Sequence, residues 1–184
     1  MVLRHKVTKN ITMKKSDYMI YKLMKFIGAN DVLMPNFYYK DYEMDLFRLQ
    51  RNGYIIEYEI KISRSDYFND FKKGAKDWSA WKPGIKEIPR LNKHKLIEDG
   101  KIANKFFFVV PDNLIKIEEV PRYAGLIYFK SYGHETVKPA PFLHKNKFND
   151  QEWKDLALKV YWRHAITRSK LFKGKSIKKV LEDK

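Results

Sequence analysis

At 184 residues the chain is long enough for one α/β domain with a packed core and too short for two of ordinary size, and 44% apolar residues with 12 Phe, 12 Tyr and 4 Trp exclude intrinsic disorder although 33% of residues are charged. Lys and Arg number 38 against 22 Asp and Glu, and the resulting charge of +16 suits a polyanionic partner, with nucleic acid ahead of a membrane surface. The absence of cysteine excludes disulfides, cysteine nucleophiles and thiolate-bound zinc; with no apolar run near the ~20 residues that span a bilayer, and with Lys14 and Lys15 breaking any leader, a cytoplasmic protein is expected.

In chain order, Ser16 followed by YMIYKLMKFIG sets Ile20, Leu23, Met24 and Ile27 on one helical face, with Gly28 as a stop. Two runs, Glu43 to Gln50 and Tyr54 to Ile62, flank Asn52-Gly53 and read as a β-hairpin. Ser63 or Ser65 can cap a short helix through DYFNDFKK, with Asp66 in its first turn. Gly74 to Asn92 holds Trp78 and Trp81 without clear period and reads as an irregular insertion, a candidate lid. FFFVV (106–110), stopped by Pro111, and GLIYF (125–129) read as strands buried on both faces that flank the hairpin. From Asp150 the spacing of Trp153, Leu156, Ala157, Val160 and Tyr161 is helical, and the tail beyond Arg168 is basic and expected to fray. This order predicts one domain over 1–184: a mixed α/β sheet with helices on both sides and a C-terminal helical extension over 150–184.

The hairpin carries the chemistry. Even positions of both strands are apolar and odd ones charged, so burying the even sets together fixes the register. A three-residue loop Arg51-Asn52-Gly53 with Gly53 left-handed satisfies that pattern and sets Asp45 opposite Glu59. Glu43, Asp45, Glu57, Glu59 and Lys61 then share a face. As a solvated face its cross-strand pairs contribute a few tenths of a kcal/mol. Four acids against one base repel, however, and this local reversal of sign in a lysine-rich chain asks for a hard divalent cation held by oxygen ligands. Mg²⁺ between Asp45 and Glu59, also touching the Ile60 carbonyl and with Glu43 as a further candidate ligand, fits that need, and Lys61 is placed to orient a water and offset charge on a phosphorane.

Asp45 followed by Glu59-Ile60-Lys61 resembles the PD-(D/E)xK nuclease signature, and the continuation EIKISRSDYFNDFKK resembles a segment of MmcB-like DNA-repair nucleases and related phage proteins. KHKL (93–96), KFFFVVP from Lys105 and YAGLIYF from Tyr123 are similar to later landmarks of that group, in the same order, over about residues 40 to 130. The resemblance implies a restriction-endonuclease-like α/β core and metal-dependent phosphodiester hydrolysis in repair, recombination or phage DNA processing. Asp45, Glu59 and Lys61 would be catalytic, with Mg²⁺ (or Mn²⁺) as cofactor, DNA as partner, and a homodimer or a repair or replication protein as further partners. The Gly74 to Asn92 insertion departs from the pattern, and helix one lacks the glutamate that some relatives add as a ligand; Asp17 sits at its capping end. The alternative is a non-catalytic nucleic-acid-binding protein on the same scaffold.

Other residues keep two readings. Asp66 and Asp70, four apart, either cap and solvate their helix or support the site through Arg64 or a lysine. Lys93 and His94 either contact a phosphate or form a surface charge cluster. Arg64, Lys72, Lys73, Arg163 and Lys170 are expected to bind the nucleic-acid backbone. Between Lys159 and Lys184 nine basic residues face only Glu182 and Asp183, which suits phosphates, whereas Tyr161, Trp162 and Phe172 pack or stack on bases. The five histidines show no pair at metal spacing on one element.

Overall fold

The computed structural model describes residues 13–27, 30–40, 42–76, 80–84 and 86–172. It divides into two compact units, Met1–Lys147 and Phe148–Lys184. The first is a mixed α/β fold around a six-stranded sheet of order β1-β2-β3-β6-β7-β8. Helix α1 (Lys15–Ile27) precedes the antiparallel strands β1 (Val32–Tyr39), β2 (Tyr42–Leu49) and β3 (Ile55–Ile60). Helix α2 (Arg64–Asp70), a two-stranded ribbon of β4 (Gly74–Lys76) and β5 (Arg90–Asn92), and helix α3 (Lys93–Glu98) follow. Strand β6 (Lys105–Pro111) returns parallel to β3, β7 (Ala124–Lys130) runs parallel to β6, and β8 (Gly133–Lys138) closes the far edge antiparallel. The second unit contains one long helix, α4 (Asp150–Phe172).

The β2–β3 hairpin has the register the alternation demands. Leu46 faces Tyr58 and Leu49 faces Ile55. The loop is closed by Gln50 and Tyr54, the Gln50 N–H donating to the Tyr54 carbonyl at 2.9 Å, and Gly53 has φ +87°, the left-handed conformation that glycine adopts without a Cβ penalty. Burial of Ile56, Tyr58 and Ile60 on one face of β3 meets Met19, Ile20 and Leu23 of α1. The other face meets α2 and α3: the Tyr67 ring lies 4.8 Å from Phe108, edge on, and Ile97 is fully buried. Both faces of the central strands are therefore covered, as the unbroken apolar run Phe106–Val110 requires.

Several elements differ from the sequence reading. β1 and β8 are edge strands that the pattern of residues hides: β1 contains Pro35 and Asn36, poor strand formers, and β8 runs GHETVK with its middle exposed. The supposed irregular insertion is tied at its base by the β4–β5 ribbon, Gly74 pairing with Asn92. Trp78 and Gly28, and the basic tail beyond Phe172, lie outside the described residues; Trp81 is half exposed.

A buried carboxylate and lysine cluster as the candidate active site

Asp45 sits where both neighbouring ladders lapse. The β1–β2 pairing runs Pro35 to Leu46 and resumes at Phe37 to Met44, skipping Asn36 opposite Asp45; Asn36 is left-handed, φ 47°. On the other side the β2–β3 pairing ends at Leu46 and Tyr58. There the Asp45 carboxylate takes the place of a backbone acceptor, its Oδ2 receiving the Ile60 N–H at 2.8 Å. Pairing with β6 continues past this point, the Lys61 N–H donating to the Val109 carbonyl at 3.0 Å.

On the face of β3 turned toward α2 and α3, Glu57, Glu59 and Lys61 are buried, not solvated. The Lys61 ammonium bridges Glu59 Oε1 and Asp70 Oδ1, both at 2.7 Å. Lys73, half exposed, reaches the same two oxygens from the solvent side at 3.2 and 2.6 Å. Lys93 holds Glu59 Oε2 at 2.7 Å and lies 3.0 Å from Glu57 Oε1, a charge contact without hydrogen-bond alignment, while Tyr42 donates to Glu57 Oε2 at 3.0 Å. His94 Nε2 meets Asp70 Oδ2 at 2.9 Å, and its Nδ1 meets the Tyr123 hydroxyl at 2.9 Å.

Local structure explains how these residues converge. Ser63 is the N-cap of α2, its hydroxyl accepting the Asp66 N–H, and the helix ends on Asp70, fully buried against the cluster. Asp66 lies in the first turn of the helix, its N–H capped by Ser63, while Asp70 pairs with Lys61 and Lys73 in the cluster. The β4–β5 ribbon then returns the chain so that the Lys93 N–H donates to the Lys73 carbonyl at 3.1 Å, bringing two lysines distant in sequence to one carboxylate. Asn92 caps α3 through the Lys95 N–H.

Electrostatics separates the acids. Burial, and secondarily the neighbouring Glu59, push Asp45 up to about 6. Burial pushes Glu57 up to about 7, opposed by Lys93 and reinforced by Glu59. For Glu59 and Asp70 burial acts in the same direction but is overcome: Lys93, Lys61 and Lys73 hold Glu59 below the ordinary carboxylate value, and the His94 hydrogen bond with Lys61 and Lys93 holds Asp70 well below it. Lys93 is raised, against burial, by Glu57 and Glu59. Three ammonium groups thus converge on Glu59, whereas among the described residues Asp45 makes no ion pair.

The cluster brings together Asp45, Glu59, Lys61, Lys73, Lys93 and His94 of the sequence-derived set, with Ile60 between them. Glu43 is exposed, whereas Glu57, Glu59 and Lys61 of the same expected face are buried. Lys93 and His94 are interior, 3% and 5% exposed, which rules out a surface charge cluster. Arg64 is exposed and bound to Glu119 and to the Leu114 carbonyl; Lys72 is exposed beside Asn69. Arg163 and Lys170 are exposed on α4, in the other unit. Glu57 joins the cluster from the face on which the alternation of β3 placed it, whereas Tyr42 and Tyr123 were missed as members and nothing local marks them.

Neither a family model nor a curated protein matches the chain. A solved structure of a protein of unknown function from Silicibacter pomeroyi is similar in fold, with a TM-score of 0.55 and 20% identity over 91% of this chain and 99% of that one. At that identity the likeness bears on the fold alone.

Among the described residues no set of three or more His, Asp and Glu side chains is arranged to hold a metal by itself. The donor chemistry at Asp45 nevertheless fits a hard cation. Its carboxylate is fixed by a backbone N–H, is raised by burial and secondarily by the neighbouring Glu59, and lacks a cationic partner among the described residues, so a divalent ion shared with Glu59 would offset both.

Proposed function

We propose that this chain is a metal-dependent nuclease that hydrolyses phosphodiester bonds in DNA, in repair, recombination or phage DNA processing. The observation that carries the reading is Asp45, released from both strand ladders and without a cationic partner among the described residues, beside Glu59-Ile60-Lys61 at the end of β3. Asp45, Glu59 and the Ile60 carbonyl would hold Mg²⁺ or Mn²⁺, which when bound supplies Lewis acidity and lowers the pKa of a coordinated water. The one donor of the Lys61 ammonium not taken by Glu59 and Asp70 would be directed to the attacking water or a phosphate oxygen, offsetting charge that develops on the phosphorane. Entry to Glu59 and Lys61, 1% and 2% exposed, requires Lys73 to swing off Glu59 and Asp70, after which its ammonium is free for a substrate phosphate. Exposed Arg64 and Lys72, and Arg163 and Lys170 on α4, supply backbone charge.

One observation favours a second reading, a nucleic-acid-binding protein without catalysis: both Glu59 oxygens are already occupied by ammonium groups. The two are separated by incubating the protein and its Asp45→Asn variant with plasmid and single-stranded DNA, with Mg²⁺, Mn²⁺ or EDTA. Metal-dependent cleavage lost in the variant supports the nuclease; retention of DNA by both proteins with no cleavage by either supports the binding reading.

A further inference from the structure

Asp70 carries a line of contacts that phosphodiester hydrolysis does not by itself use. Its Oδ1 is 2.7 Å from Lys61 Nζ, its Oδ2 is 2.9 Å from His94 Nε2, and His94 Nδ1 is 2.9 Å from the Tyr123 hydroxyl. The chain draws on the last residue of α2, the first turn of α3 and the residue before β7. All but Tyr123 are at most 5% exposed. The imidazole ring is clamped as well: Phe71 lies 4.5 Å from it and Phe108 stacks at 5.9 Å and 26°.

We infer that His94 and Tyr123 are positioning residues, which through Asp70 fix the direction in which Lys61 presents its ammonium to the reacting phosphate. This rests on the nuclease reading for its consequence in catalysis, not for the geometry. The logic is that of a locked tautomer. Tyr123 donates its hydroxyl proton to Nδ1, which leaves the ring proton on Nε2 and aimed at Asp70 Oδ2. Held at Oδ2 by His94, and at Oδ1 by Lys73 at 2.6 Å as well as by Lys61, the carboxylate is restrained from turning about its Cβ–Cγ bond, and Oδ1 keeps its direction toward Lys61. Two donors of the ammonium are taken by Asp70 and Glu59, and the direction of the third follows from them. A tyrosine, histidine and aspartate in line also suggest an activated tyrosine nucleophile. Burial counts against that, because it pushes the Tyr123 phenol above its ordinary value and keeps it a proton donor. Packing alone does not account for the chain either, since an apolar set of similar volume at a buried polar site is often as stable or more so.

The test compares His94→Leu, His94→Gln and Tyr123→Phe in the full chain. Glutamine retains an N–H where Nε2 stands; leucine does not. For metal-dependent DNA cleavage, His94→Leu is expected to lower kcat by about 10- to 100-fold at unchanged KM, a size common for groups that orient a catalytic side chain. His94→Gln should recover most of the loss and Tyr123→Phe should cost several-fold. The second readout is the ¹⁵N–¹H signal of the Lys61 ammonium, assigned by its loss in Lys61→Arg: sharp in the wild type and His94→Gln, broadened in His94→Leu. An unchanged Lys61 signal in His94→Leu, or equal losses of kcat in the leucine and glutamine variants, overturns the inference. If the wild type cuts no DNA under any metal, the nuclease reading fails while the Lys61 signal still decides whether His94 sets the lysine.

Discussion

Asp45→Asn should make the protein inactive and more stable at once. The Asp45 carboxyl is pushed from 3.8 up to about 6 in the folded chain. A folded value above the unfolded one means that the native state favours the proton, so the contribution is fully present below about pH 4 and is lost as pH rises through 6. A rise of that size corresponds to on the order of 3 kcal/mol of native-state stability lost by pH 8. Asparagine keeps an oxygen to accept the Ile60 N–H, at 2.8 Å in the native protein, and carries no charge. Allowing for the partial exposure of Asp45, the variant is expected to exceed the wild type by about 1–3 kcal/mol at pH 8 and to match it at pH 4. Urea unfolding followed by tryptophan fluorescence at pH 4, 6 and 8 measures this. Adding Mg²⁺ at pH 8 should stabilise the wild type alone, because binding to the native state shifts the unfolding equilibrium by mass action. A variant less stable than the wild type at pH 8, or a gain independent of pH, would refute the uncompensated-carboxylate argument.

Lys93→Met removes the cation shared by Glu57 and Glu59 and should cost about 3–5 kcal/mol in urea unfolding, whereas Lys73→Met, at a half-exposed ammonium, should cost less than about 1 kcal/mol; equal losses would mean that burial does not set the strength of these pairs. A Cβ on Gly125 would lie 2.5 Å from the Phe107 ring and 2.8 Å from the Ala140 nitrogen, while one on Gly133 meets nothing closer than Phe26 at 3.8 Å. Gly125→Ala should therefore lose about 1–3 kcal/mol or more and Gly133→Ala almost nothing, as thermal melts will show. If Arg163 and Lys170 contact phosphates, replacing both by glutamine should lower the slope of log affinity for duplex DNA against log salt by about 2; an unchanged slope would place the DNA elsewhere.

The hairpin was legible because three local signals agreed: alternation in both strands, the Asn52-Gly53 turn, and a register that only the three-residue loop satisfies. Ser63 as a cap was legible for the same reason, a side-chain oxygen just before helical spacing. What the sequence hid was long-range. Lys73 and Lys93 are ordinary members of a lysine-rich chain until the β4–β5 ribbon folds them onto Glu59, and its short strands, three residues each, give too little period to read. His94 and Asp70 meet only because α2 and α3 pack on the same face of the sheet. β1 was hidden by Pro35 and Asn36, the residues that interrupt its ladder opposite Asp45. The local irregularity that concealed the strand is thus the feature that frees the acid.

The charge balance of the cluster is the physical feature that favours the nuclease proposal over a purely structural role. Apolar side chains would close this end of the sheet at equal or better stability, so buried ions are poor evidence for stabilisation. The fold nevertheless buries Lys61, Lys93, Glu57, Glu59 and Asp70 together and leaves them unevenly matched. Lysines converge on Glu59 and hold its charge; Glu57, with Lys93 shared and Tyr42 as its hydrogen-bond donor, is pushed up to about 7. Among the described residues Asp45 receives a backbone N–H and no cation, and burial with Glu59 raises it to about 6. One carboxylate held ionised by several ammonium groups, beside a neighbour without an ion pair among the described residues, is the asymmetry that a bound cation would complete under that proposal. Under the nuclease proposal, a positive charge added between Asp45 and Glu59 would offset the repulsion that Glu59 adds to the burial of Asp45.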